Sequence, residues 1–81
     1  MSDDNFIRAM FAVKGQAKMM IAHCSACSAT CNEVCIRLID GTEKFYTWSV
    51  ISAITTRSID QGEVDYDREY NKRTGIFIEV S

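Results

Sequence analysis

The sequence contains no proline, four glycines, one tryptophan and one histidine in 81 residues. These scarcities narrow the field. A chain without proline and poor in glycine is neither collagen-like nor a low-complexity linker. With nearly half its residues hydrophobic and a quarter charged, it has the composition of a folded domain. No apolar run approaches the ~20 residues of a membrane-spanning helix, and the opening Met1-Ser2-Asp3-Asp4 is acidic where a secretory leader is basic and then apolar. A cytoplasmic location with reduced thiols is expected.

Basic clustering is also lacking. The net charge is −2, and Arg8, Lys14, Lys18, Arg37, Lys44, Arg57, Arg68, Lys72 and Arg73 are scattered without a stripe able to neutralise several phosphates. Nucleic acid is therefore not the expected partner. No glycine-rich phosphate loop, nucleophile elbow or H-E-x-x-H motif is present. His23 has no serine or acid beside it that would make a triad, and Cys24, next to it, points away on either a helix or a strand. No catalytic residues are assigned, and the chain reads as a non-enzyme.

What the sequence has in quantity is cysteine, concentrated in one place. Residues 19–31 carry no charge and hold Cys24, Cys27 and Cys31, with Cys35 four residues on. Together with Met10, Val13, Ala17 and Met20 they recur at spacings of three and four, which predicts the buried stripe of a helix over about 5–32. Ser2 to Asn5 supplies candidate caps and the first-turn acids. A rival pattern places strands at 6–13 and 17–24 around a Gly15-Gln16 turn, with Ile7, Ala9, Phe11 and Val13 on one face. On a straight helix, Cys24 to Cys35 span about 16 Å, too far to converge on one ion. The cysteines are thus expected to be small core residues, with no metal and no cofactor. The alternative is a broken helix in which Cys24, Cys27, Cys31 and Cys35, or His23 in place of one, hold zinc and the knuckle contacts protein or nucleic acid.

Beyond residue 34 the pattern turns to β. Val34–Ile39 and Thr42–Trp48 flank Asp40-Gly41, a dipeptide suited to a two-residue hairpin turn, which pairs Ile36 with Phe45 and Val34 with Thr47. The charge-free run from Phe45 to Thr56 reads as a long, bent or interrupted strand, and Val64, Tyr66, Arg68 and Tyr70 alternate with acids as in a further strand. Asp60, Glu63, Asp65, Asp67 and Glu69 are read as its solvated face, since no EF-hand register fits them. The expectation is a single α+β domain over 1–81, with an N-terminal helical region (about 5–32) on a four-stranded antiparallel meander (about 34–39, 43–57, 63–70 and 75–80). So small a domain buries only ~60% of its unfolded surface and gains from association. Tyr46, Trp48, Tyr66 and Tyr70 are the candidate partner-binding residues, because such side chains bury area while keeping a polar tip satisfied. The function expected is a small protein-binding regulator, adaptor or inhibitor that forms a homo-oligomer such as a homodimer.

Overall fold

A computed structural model describes residues 5–80. Seven elements follow one another: β1 (Asn5–Val13), β2 (Met19–Ala29), β3 (Glu33–Leu38), β4 (Glu43–Thr47), β5 (Ile51–Asp60), α1 (Gln61–Thr74) and β6 (Phe77–Val80). The first five strands form an antiparallel sheet in the order β4-β3-β2-β1-β5, and β6 joins it parallel to β2. The expected N-terminal helix on a four-stranded meander is wrong: the described residues hold a mostly β domain whose one helix lies near the C-terminus.

The sheet is strongly curled. Thr47 and Ile51 belong to strands at opposite edges, about 19 Å apart in a flat sheet. The three residues joining them reach at most about 14 Å. Curling brings Phe11 of β1 onto Tyr46 of β4, with ring centroids 5.1 Å apart. Lys14 N–H donates to Val50 O at 2.8 Å, carrying the β1/β5 ladder on past Ile51. Inside lie Ala9, Phe11, Ala22, Cys24, Val34, Ile36, Leu38, Ile51 and Val80, with no charged group among them.

The apparent helical stripe has a β explanation. On β1 the interior residues are Ile7, Ala9, Phe11 and Val13, spaced by two as the rival pattern had them. On β2, Met20, Ala22 and Cys24 face inward, and then a bulge at Ser25 shifts the ladder, so that Cys24 opposes Leu38 while Ala26 opposes Arg37. One extra residue changes the parity, so Cys27, not Ala26, returns to the interior opposite Ile36. A bulged strand therefore repeats at three where it would repeat at two. Gly15 (φ +88°) makes the turn between β1 and β2, with Val13 O accepting from Gln16 N–H at 3.0 Å.

Further expectations are corrected. The hairpin of β3 and β4 turns through three residues, Ile39-Asp40-Gly41, where two were expected: Leu38 N–H donates to Thr42 O, and Gly41 takes a φ of +95°. The register consequently slips by one, to Val34 with Tyr46 and Cys35 with Phe45. The expected strand over 43–57 is two strands, broken where Val50 N–H donates to Thr47 O.

The expected strand over 63–70 is α1. Asp60 caps it by accepting from Glu63 N–H at 2.9 Å, Lys72 and Arg73 sit in the last turn, and Gly75 ends it in the left-handed conformation. The alternation of Val64, Tyr66, Arg68 and Tyr70 is incidental, and the buried pair is Val64 and Asp67, one turn apart. The last segment, expected at about 75–80 in an antiparallel hairpin, instead pairs parallel with β2 as Phe77–Val80.

Candidate functional site

The outer face of β2 carries the residues that sequence reading passed over. Period two puts Ile21 and His23 opposite Ala22 and Cys24, outside the curled sheet, where α1 and β6 cover them. His23 Nε2 lies 3.0 Å from Asp67 Oδ2 on α1, and Nδ1 lies 3.3 Å from Glu79 Oε2 on β6. Arg8, the ladder neighbour of His23 on β1, donates from Nη1 to both Asp67 oxygens at 3.0 and 3.1 Å. Arg68 Nε donates to Glu79 Oε2 at 2.7 Å. Five charged or polar side chains thus tie three strands to the helix, and among the described residues no buried side-chain polar atom lacks a partner.

This constellation has the residue types of an acid–base site but not its access. The His23 side chain is 1% exposed and both ring nitrogens already face carboxylates, so neither is free to take a proton from a substrate. Its chemistry is that of a cross-link which fixes where α1 sits and how it is rotated. The sequence gives His23 no catalytic role and a place only in the alternative zinc site. The signal that pointed further was its place as the one ionisable nitrogen base in an otherwise uncharged run, and Asp67 at helical spacing from Val64 was the partner to look for.

The candidate partner-binding aromatics fall in three places. Tyr46 turns inward onto Phe11, and burial raises its phenol above the ordinary range. Trp48 stands in the turn after β4, 36% exposed, with its indole N–H donating to Thr30 O at 2.7 Å. Tyr66 and Tyr70 stack on the outer side of α1 with centroids 6.0 Å apart, and the Arg73 guanidinium lies over Tyr70. Sequence reading missed Phe45, 57% exposed on β4, because the one-residue slip of the hairpin exchanges the faces of Phe45 and Tyr46, and Val50, also exposed, because it lies in the turn that splits the expected long strand.

The four cysteines are all free thiols and do not share one environment. Cys24 is in the interior, where burial first and the nearby Cys27 second push its thiol up to about 12. Cys27 is raised by burial and then by Cys35, Cys31 is exposed in the turn between β2 and β3, and Cys35 is on the outer face opposite Phe45. Cys27 and Cys35 border a shallow hollow of about 160 Å³ with Ala26, Ser28 and the ion-paired Arg37 and Glu43. Among the described residues no group of three or more histidine, cysteine or acidic side chains is arranged to hold a metal ion. No helix among them is long and apolar enough to cross a membrane.

Set against family models, curated proteins and solved structures, the chain matches none of them.

Proposed function

We propose that this chain is a small non-enzymatic protein-binding module of the regulator, adaptor or inhibitor kind, and that it also self-associates. The observation that carries the reading is the stretch from Phe45 to Val50, which sets Phe45, Trp48 and Val50 at the surface within six residues. Trp48 is held in place by its bond to Thr30 O, so its ring loses little freedom on meeting a partner. Large aromatic side chains in such positions supply much of the energy of protein interfaces. Tyr66 offers a second exposed aromatic on α1. His23, with both nitrogens engaged, supports the non-enzymatic half of the reading. The four free thiols accord with a reducing, cytoplasmic setting.

A photo-crosslinking amino acid placed at Phe45 in cells tests the binding surface directly. A discrete adduct is expected, and it should be lost when Trp48 and Val50 are both changed to serine. The same probe at the exposed Asp40, away from both aromatic groups, provides the background. If Phe45 gives no adduct above that background, this stretch is not a binding surface.

A further inference from the structure

β5 uses only one of its two edges. β1 pairs with it from Ile51 to Asp60, and among the described residues no strand takes the other side. From Ser52 to Ser58 every residue is exposed except the half-buried Ile54. The unused row of backbone N–H and C=O groups is one that another extended chain can pair.

The other free edges are defended and this one is not. β4 is five residues long and carries Glu43 and Lys44, and β6 has four residues including Glu79. Short length and charge keep edges from pairing. Ser52–Ser58 is seven residues with no proline, no glycine and a single charge, Arg57.

We infer that this edge is the self-association surface, on which β5 of a second copy pairs antiparallel about a two-fold axis at Thr55. The inference rests on the self-association half of the proposed function and gives it a location. A strand edge is self-complementary, because the same row donates and accepts, and a two-fold axis requires no more than that. The axis falls at Thr55 because that residue is the midpoint of the exposed run Ser52–Ser58, and charge disfavours a shift to Arg57. Centred on Arg57, the pairing would oppose two guanidinium groups, which is destabilising. Centred on Thr55, it sets Arg57 of each copy against Ala53 of the other, Ile54 against Thr56 and Ser52 against Ser58. The pairing then joins two curled sheets into one and adds ladder partners beside a strand whose inward-facing Thr56 and Ser58 are otherwise open to water.

The register makes the inference testable by charge. Ala53 and Arg57 are both exposed, so substitution there leaves the fold intact. Ala53→Arg opposes like charges twice per dimer and should weaken dimerisation by about tenfold in a light-scattering concentration series. Adding Arg57→Glu to that variant should restore or tighten the dimer, because each like pair becomes an opposite pair. Amide exchange of the unaltered chain gives a second readout, in which protection of residues 52–58 rises with protein concentration. A chain monomeric at every concentration overturns both this inference and the self-association half of the proposed function, while leaving the Phe45 crosslink to be judged separately. A dimer indifferent to Ala53→Arg, with no concentration-dependent protection of 52–58, overturns the β5 edge alone.

Discussion

The two sides of β2 are built from opposite chemistry. Toward the interior it presents Met20, Ala22, Cys24 and Cys27, which pack against residues such as Phe11, Ile36 and Leu38. Toward α1 it presents Ile21 and His23, and there the buried surface is shared between apolar groups and the ion-paired set of Arg8, Asp67, His23, Glu79 and Arg68. The interior is held by area removed from water, which is nearly indifferent to direction. The helix layer is held partly by contacts that exist only at one distance and angle. The curled sheet has six strands joined by backbone ladders to define it, whereas α1 is a single helix with two buried residues and could slide or rotate on an apolar surface. Ionic groups contribute modestly to net stability, but their loss is costly when a partner is left behind, and that asymmetry selects one docking geometry.

The comparison breaks most readily with changes that keep shape and alter chemistry. Asp67→Asn conserves size but turns an amide donor toward Arg8 or His23, both of which lie against that carboxylate. It should cost about 3 kcal/mol in denaturant unfolding, with early loss of amide protection in α1 and β6. Phe11→Leu, a hydrophobic change on the interior side, should cost about 1.5 kcal/mol and lower protection uniformly. If Phe11→Leu proves the more damaging, the helix layer is not the chemically specified side.

A smaller effect separates the two partners of His23. Glutamine at this position can still offer one amide donor, so His23→Gln should cost about 1 to 2 kcal/mol. The loss falls short of that at Asp67 because Glu79 keeps Arg68 and Asp67 keeps Arg8. His23→Leu removes both contacts and should approach the Asp67→Asn value. Equal stability of the two histidine variants would mean that the imidazole acts by volume alone.

How far this was legible depended on what set each element. The strand over Phe6–Val13 and its turn at Gly15 were visible as period two, yet the run of Met, Ala and Cys over 19–31 suggested a helix, because the bulge at Ser25 mimics its spacing. Nothing local announces that bulge. It is fixed by the pairing with β3, where Ser25 Oγ donates to the carbonyl oxygens of Arg37 and Leu38. The caps of α1 were in plain sight as Asp60-x-x-Glu63 and Gly75, but an equally visible alternation of apolar and acidic residues competed with them. The β3–β4 hairpin was readable, though its register was not, since Asp40-Gly41 serves two-residue and three-residue turns alike and here Asp40 Oδ1 accepts from Thr42 N–H in the longer form. Of the four aromatics singled out in the sequence, Trp48 and Tyr66 are exposed, whereas Tyr46 packs on Phe11. The ion-paired set was not legible, because its members are up to 71 positions apart in sequence, from Arg8 to Glu79, and only the fold brings them together.

The smallest effects lie at the cysteines, where the comparison is sharpest within a single residue type. Cys24 sits in the interior and Cys31 in an exposed turn. Alkylation of the folded protein near pH 8 should therefore label Cys31 first and Cys24 last, read by mass spectrometry of quenched samples, since the thiolate is the reactive form and burial holds Cys24 protonated. Burial also predicts a pH dependence of stability. A thiol whose folded-state value is raised from 9.0 to about 12 binds its proton more tightly in the folded chain. Its contribution is then fully present below pH 9 and is lost as the pH climbs toward 12, because the unfolded chain ionises first. Cys24→Ala should cost only about 1 kcal/mol and abolish that alkaline slope. Cys24→Ser should cost more than Cys24→Ala, because it places a hydroxyl among Ala9, Leu38 and their apolar neighbours, where the Ala22 carbonyl lies at a long 3.5 Å from the thiol it replaces. If the thiols instead ligate a metal, alanine and serine should be equally severe at Cys24, Cys27 and Cys31, and the metal should be lost with each. Alanine milder than serine at Cys24, with both tolerated at Cys31, is the order the packing requires.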